Sequence, residues 1–396
     1  MTRAQTDAPL TLTVLCSRFR PERYGGVEER LWHLTSALAR AGAEVQVITE
    51  NRVDAARSEV MAPHLNVRRI PPADAGRLWR IDHLMRALSW RGAVKQYASG
   101  HLIWATDPSM AIGAMLAHPM DRIIFNPAAC AAGIRHIWKQ YPDADSLLTH
   151  RHLVWLDWLA YRRAHNVVVS SANVKQQFER FYGRRPSVHV VPYAADRPVV
   201  GTNRAAARSR FGIHASGFCA GFVGRLDPCK DIPFLLTALA CMPPGQHDRL
   251  LIVGDGPDEG RLRRIADERG VAGNIVWAGR LNLPEEALAA MDVLVLPSYY
   301  EAFGLVLLEA MAVGVPVIAR ASDGETVMTA AAEVITSENG IVVPSHDPKA
   351  LAGALGRLRD SPELRARLSE GAKRYVLRRT WDDVAREAVN ILRTAS

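Results

Sequence analysis

Short apolar runs alternate with longer amphipathic stretches along nearly the whole chain. The first cycle is the clearest. Residues 10–16 (LTLTVLC) predict a strand and 17–26 a loop. Residues 27–42 predict a helix whose Leu31, Leu34 and Leu38 recur at helical spacing. Gly42 stops that helix, EVQVIT (44–49) is the next strand, and Glu28 and Glu29 suit the positive end of the helix dipole. Further strands are expected at HLIWA (101–105), RIIF (122–125), NVVVS (166–170) and VHVVP (188–192). From 195 to 212 the apolar period lapses, with Pro198 and Gly201 near the start, which reads as a linker running into a helix. The pattern then restarts with GFCAGFVG, RLLIVG, NIVWAG, VLVLP and VPVIA, each followed by a polar loop and a helical stretch. Two such series, each long enough for its own core, imply an α/β protein of two Rossmann-like domains, 1–195 and 208–378. Their parallel sheets face across a cleft, where ligands bind at the strand ends.

Composition narrows the class. With 396 residues, 48% of them apolar and 23% charged, the chain is neither disordered, collagen-like nor a small disulfide-stapled fold. No stretch reaches the roughly 18 apolar residues of a membrane span, and MTRAQTDAPL lacks the apolar core of a secretory signal. A soluble, cytoplasmic protein is expected. Five cysteines without a Cys-x-x-Cys pair argue against a disulfide framework or a zinc site. Charge is uneven: residues 1–200 carry 26 basic and 17 acidic side chains, against 23 and 24 in 201–396. A basic first half favours anionic partners or is simply an arginine-rich surface.

The strongest chemical signal is VLVLPSYYEAFGLVLLEAMAVGVPVIA (293–319). A strand ends at Pro297, a helix opens near Gly304, and Gly314 and Pro316 terminate it. LVLLEAMA is apolar on every side except Glu309, and a carboxylate in a buried helix demands a partner. Glu301 lies just before the helix, and the free amides of Gly304, Leu305 and Val306 offer an anion site between the two carboxylates. That layout suits a ligand with phosphate in the middle and hydroxyl-rich groups at both ends, as in a sugar nucleotide. The second signal is FVGRLDPCKD (222–231), where Gly224 ends a strand and Arg225 and Lys230 precede a helix starting near Ile232. Two cations at a helix N-terminus make a diphosphate site. Cys229 sits inside this loop. Gly25-Gly26 permits close backbone approach to a ligand. GDGPDEG (254–260) is a partial glycine motif without the acidic partner of a dinucleotide fingerprint, which argues against a nicotinamide oxidoreductase.

Together GGVEERLWHLTSALARAGAEVQVIT, FVGRLDPCKD, LIVGDGP, VWAGRL and EAFGLVLLEAMAVGVPVIA closely resemble the retaining glycosyltransferases of family four, glycosyl transferases group 1, with the GT-B fold. The resemblance is specific over 217–345 and looser over 50–210. It implies that RYVLRRTWDDVAREAVNIL includes a final helix, 380–396, crossing back to the first domain. It implies that Arg225 and Lys230 hold the donor diphosphate, that Glu309 binds the ribose, and that Glu301, with the amides after Phe303, holds the donor sugar and distal phosphate. Gly25 and Gly26 would border the transferred sugar, and Ala278, Arg280 and Leu281 would frame the base. Arg225, Lys230 and Glu301 would then be the catalytic set. The departing diphosphate itself would take the acceptor's proton, and neither cofactor nor metal is required. Asp143 and Asp145 spell Asp-x-Asp but lie far from the diphosphate motifs.

There are departures from the family. Where many relatives carry a His after the strand matching RIIF, this chain has Asn126, which can hydrogen-bond a sugar but cannot act as a base. Asp107 is a second acceptor candidate, or a helix cap. The family's Gly-Gly-x-x-Glu segment is SDGET (322–326), so no role is carried over there. The resemblance leaves the acceptor open between a saccharide, a lipid-linked glycan and an aminocyclitol. Residues 77–97 set arginines beside Trp79 and Trp90, as a membrane-surface helix would, or as a helix packed on its own sheet. The aromatic-rich segment from Ile137 to Tyr161 could wall a pocket for a small acceptor. A phosphorylase of the same fold is the enzymatic alternative. A nucleic-acid-binding protein would explain the basic half but not Glu309.

Overall fold

The computed structural model describes residues 9–20, 26–51, 55–72, 82–139, 151–195, 203–243, 245, 247–281 and 284–393. Gly25, Asp143, Asp145 and the middle of the expected linker, 196–202, lie outside them. The first half forms an eight-stranded sheet from β1 (Thr11–Cys16), β2 (Glu44–Glu50), β3 (Ser58–Ala62), β4 (Leu65–Ile70), β5 (Leu102–Ala105), β6 (Ile123–Phe125), β7 (Asn166–Val169) and β8 (Val188–Val190). Their order across the sheet is β3-β4-β2-β1-β5-β6-β7-β8. All pairings are parallel except β3 with β4. The connecting helices are α1 (Gly26–Arg40), α2 (Asp82–Tyr97), α3 (Pro108–Met115), α4 (Ala131–Trp138), α5 (Arg151–Arg163) and α6 (Ala172–Tyr182). Parallel strands sandwiched between helices are buried on both faces, which is why β5 and β6 read as unbroken apolar runs and β7 as one after Asn166.

The second half opens with α7 (Arg204–Arg210) and repeats the plan with β9 (Cys219–Val223), β10 (Arg249–Val253), β11 (Ile275–Gly279), β12 (Val293–Leu296), β14 (Val317–Arg320) and β16 (Gly340–Val343). This all-parallel sheet runs β11-β10-β9-β12-β14-β16, and a separate two-residue pair joins β13 (Tyr300–Glu301) to β15 (Met328–Thr329). Its helices are α8 (Ile232–Ala240), α9 (Glu259–Glu268), α10 (Pro284–Ala290), α11 (Leu305–Ala312), α12 (Ala331–Val334), α13 (Pro348–Asp360) and α14 (Pro362–Val376). The last helix, α15 (Trp381–Arg393), leaves this half and returns to the first. Its Trp381, Val384, Ala385, Ala388 and Leu392 pack in one cluster with Leu31, Leu34 and Leu38 of α1, as the amphipathic spacing of both helices requires.

The halves also meet beside the cleft. Ile134 and Ile137 of α4 share a buried cluster with Tyr299, Tyr300, Val327 and Met328. The Glu333 carboxylate accepts from the amides of Ala172 (2.7 Å) and Asn173 (2.8 Å) at the N-terminus of α6, where the helix dipole favours negative charge. Ser171 donates from its hydroxyl to the Ala302 carbonyl at 2.7 Å.

Two readings of the first half need amendment. The antiparallel β3–β4 pair was not expected, since β3 is an exposed edge strand with little apolar alternation. Of the expected helix 77–97, residues 77–81 lie outside the described set and Asp82–Tyr97 is helical. Trp90 is fully buried against the sheet, and Arg86 donates to Glu50, so this face of the helix packs on its own domain. Leu84, Met85 and Leu88 remain on the outer surface. Among the described residues no helix is long and apolar enough to cross a membrane.

Candidate functional site

In an open parallel sheet, ligands bind where neighbouring strands lead off in opposite directions. In the second half that point lies between β9 and β12. The loop after β9 carries Gly224 to Lys230, and the loop after β12 carries Pro297 to Gly304, so topology alone brings the two sequence motifs side by side. The join is direct: Lys230 Nζ donates to Glu301 Oε2 at 2.6 Å. Burial of Lys230 opposes its charge, but the Glu301 carboxylate outweighs this and holds the ammonium above the usual lysine range. Both side chains keep about a fifth of their surface exposed, which leaves the pair open to a ligand.

Arg225 is largely exposed, and its guanidinium bonds Asp227 Oδ2 through Nε at 2.7 Å and Nη2 at 2.6 Å. Asp227 itself is buried and also accepts from the Cys229 thiol. Burial pushes that thiol well above its ordinary range. Asp231 caps α8 in a left-handed conformation, φ 43°, one of two described non-glycine residues with positive φ. It is held by buried Arg320, which also donates to the carbonyls of Pro297 (3.0 Å) and Ser345 (2.6 Å). Arg320 thereby ties the two ligand-facing loops together. Burial raises the Asp231 carboxyl, with Arg320 opposing. Sequence reasoning passed over Asp227 and Arg320. The signal for the first was an acid two residues from Arg225, and for the second a charge closing an apolar strand.

The partial glycine motif proves to be a buttress. A Cβ on Gly254 (φ 134°) would lie 1.9 Å from the Gly224 carbonyl, and one on Gly256 would lie 2.2 Å from that of Leu226. Leu226 bonds across this contact to Asp255 (2.8 Å), so only glycine lets the two loops lie flush. The Gly254 amide continues to the Gly279 carbonyl at 2.8 Å, bringing the end of edge strand β11, with Ala278, Arg280 and Leu281, onto the same rim.

Gly304 (φ 86°) caps α11, and the left-handed turn explains why glycine stands there. The helix is less buried than its composition suggests. Leu307, Leu308, Ala310, Met311 and Ala312 are buried, while Leu305, Val306 and Glu309 share a half-buried face. Glu309 thus sits on the open side of the helix rather than inside the core. Phe303 is buried, edge-on to Tyr193 at 4.9 Å. Across the cleft the start of α1 meets the start of α11: a Cβ on Gly26 would lie 3.3 Å from Leu305 Cδ1.

The acceptor candidates fare differently. Asp107 follows β5 by two residues and accepts from the Ser109 amide at 2.8 Å, as the cap of α3. Asn126 is 3% exposed, and its side-chain amide donates to the Val168 carbonyl at 2.7 Å. The variant segment SDGET closes on Asp323, which accepts from the amides of Glu325, Thr326 and Val327, each at 2.8 Å.

This geometry can be set against known proteins. The sequence model of the family "Glycosyl transferases group 1" matches residues 203–375, and that of "Glycosyl transferase 4-like domain" matches 25–194. The chain belongs to the group 1 glycosyltransferases. The fold of this glycosyltransferase is GT-B. A sucrose-phosphate synthase from Thermosynechococcus elongatus superimposes with a TM-score of 0.80 at 23% identity, covering 97% of this chain and 98% of that one. The Anabaena protein HepE, in complex with UDP-glucose, gives 0.74 at 20% identity over 97% and 100%. Among curated proteins, a D-inositol 3-phosphate glycosyltransferase of Acidothermus cellulolyticus is 35% identical over 249 residues, 59% of this chain. The match spans about half (54%) of that relative's length.

Proposed function

We propose that this glycosyltransferase moves a sugar from a nucleoside-diphosphate sugar, with UDP as the nucleotide, to a hydroxyl of a cyclitol or saccharide, retaining the anomeric configuration. The observation that carries the reading is the Lys230–Glu301 pair at the β9/β12 switch point, with Arg225 beside it and the first-turn amides of α11 next to it. The relative named for D-inositol 3-phosphate supports a cyclitol acceptor, and the UDP-glucose complex of HepE supports the donor.

On donor entry Lys230 exchanges Glu301 for the diphosphate, and the released carboxylate accepts from the sugar's hydroxyls. The acceptor oxygen then bonds to the anomeric carbon on the face from which the carbon–oxygen bond to the distal phosphate breaks. That bond's electron pair goes to the phosphate oxygen, which also takes the acceptor's proton. Arg225 and Lys230 stabilise the charge that develops, a preorganised role that needs no base from Asn126. Glu309, on the open face of α11, binds the ribose.

Calorimetric titration of UDP, GDP, ADP and dTDP without added metal tests this. UDP should bind wild type and bind Glu309→Ala more weakly. No nucleotide binding, with binding of a sugar phosphate, would turn the assignment to a phosphorylase. The anomeric signal of the product in NMR decides retention. A lipid-linked acceptor is the second reading, favoured by Leu84, Met85 and Leu88 on the outer face of α2, and co-sedimentation with anionic vesicles tests it.

A further inference from the structure

Both neighbours of Glu301 are held by the opposite half of the chain. The alternation of β13 turns Glu301 onto Lys230 and Tyr300 the other way, towards α4 and α6 of the first half. There the Tyr300 hydroxyl accepts from the Cys130 amide and donates to Gln177 Oε1, each at 3.1 Å. All three residues are buried. On the far side of Glu301, the Ala302 carbonyl accepts from Ser171 at 2.7 Å and from Ser170 at 3.3 Å, the two residues that follow β7. Glu301 thus hangs between two anchors in the first half, while its carboxylate engages the second.

The contact fixes a distance rather than merely adding adhesion. Cys130 closes the segment that leaves β6 through Asn126 and it caps the start of α4, so Tyr300 links the donor-side carboxylate to the segment of an acceptor candidate. Its partner Gln177 is held in turn: Nε2 donates to Asn173 Oδ1 at 2.6 Å, and Asn173 Nδ2 donates to Ser322 of the second half at 3.2 Å. Gly133 of α4 leaves the room that the Gln177 oxygen occupies, since a Cβ there would lie 2.3 Å from it. Without the Tyr300 hydroxyl a buried amide and a buried carbonyl lose a partner, so this geometry is favoured over any with the halves displaced.

We propose that Tyr300 is a positioning residue: through Cys130 and Gln177 the first half sets where Glu301 stands relative to the acceptor segment. This rests on the role proposed above for Glu301 at the donor sugar. Nucleotide binding then belongs to the second half, through Arg225, Lys230 and α11, whereas the rate of transfer depends on a buried hydroxyl that touches neither substrate.

The test separates binding from turnover in Tyr300→Phe and Gly133→Ala. The second is the sharper probe, because alanine favours a helix more than glycine does, while its methyl displaces the Gln177 oxygen at the flexible end of a side chain. Calorimetry gives UDP affinity, and UDP release from UDP-glucose, with D-inositol 3-phosphate as acceptor, gives kcat and KM. Both variants should bind UDP within about twofold of wild type, keep KM for UDP-glucose within about threefold, and lose about tenfold in kcat. Gly133→Ala should melt no lower than wild type. Arg180→Ala, which removes exposed rim bonds to Gly324 and Glu325, should keep kcat within about twofold. Unchanged kcat in either Tyr300→Phe or Gly133→Ala overturns the inference. So does an equal kcat loss in Arg180→Ala, since any contact between the halves would then serve. A kcat loss matched by equal losses of UDP affinity and melting temperature overturns it too, because the hydroxyl would then act on stability alone. Failure of wild type to bind UDP, or to release it from UDP-glucose, is a different result: it removes the donor reading above and the positioning role with it.

Discussion

The two halves share one architecture but use their switch points differently. Between β9 and β12 the second half assembles charges: Lys230 on Glu301, Arg225 on Asp227, and Arg320 clamping Asp231 and Pro297 from beneath. Between β1 and β5 the first half presents backbone and caps. Asp107 is engaged by α3, Gly26 contributes no side chain, and Asn126 lies under the surface. On the proposed function the diphosphate is the same object in every donor, so charge placed by a rigid turn can be built once into the sheet. On that same function an acceptor varies, and the half expected to meet it supplies a frame in which identity would reside in loops.

The sharpest way to break this contrast is at Lys230. Lys230→Ala should lower kcat by about 10²–10³, the usual loss when one preorganised charge partner is removed, whereas Asp107→Asn should change kcat less than tenfold. Steady-state transfer kinetics of both variants decide it, and comparable losses would dissolve the distinction. The next effect concerns backbone. Gly254→Ala, which must push the Gly224 carbonyl away, should cost about 1–3 kcal/mol of stability and weaken UDP binding. Gly26→Ala, facing only the end of Leu305, should leave chemical denaturation near wild type.

A smaller effect belongs to the first half. Asp157 is buried, accepts from the Ala131 amide and the Tyr182 hydroxyl at 2.9 Å each, and is pushed up to about 7 by burial. Its native form holds a proton that the unfolded chain releases near pH 4. Its contribution to stability is therefore full below pH 4 and lost as pH rises towards 7, by up to about 1.4 kcal/mol per pH unit. Asp157→Asn should flatten that part of the stability–pH curve, measured by urea denaturation between pH 4 and 7. The smallest effect is expected at Arg180, whose bidentate bonds to Glu325 at 2.8 Å join the halves at an exposed rim. Arg180→Ala should leave the melting temperature within experimental scatter.

Most of the fold was legible because buried parallel strands write themselves as apolar runs. VLVLP, NVVVS and LTLTVLC each became a strand within two residues of the expected ends. The parts that escaped lack that signature. β3 is an exposed edge, and β13 and β15 are two residues each, too short to show a period. At the site, residue types and helix starts were readable, but mutual engagement was not. Nothing in the string says that Lys230 rests on Glu301, or that Arg320, at a strand end 89 positions beyond Asp231, holds its carboxylate. Nor does an eight-residue apolar helix reveal by itself which of its sides faces a cleft; the half-buried face of Leu305, Val306 and Glu309 appears only in the fold. Tyr300, buried with Ile134 and Ile137, records an interface whose other surface lies far away in the sequence.

The return of α15 to α1 has a consequence for the chain as it is made. Arg40 leaves the ribosome long before Trp381 is added, a delay on the order of tens of seconds at ordinary rates of synthesis. Until then Leu31, Leu34 and Leu38 lack the apolar face that completes their cluster. The first half can form its sheet during translation but cannot finish its core until α15 has been made.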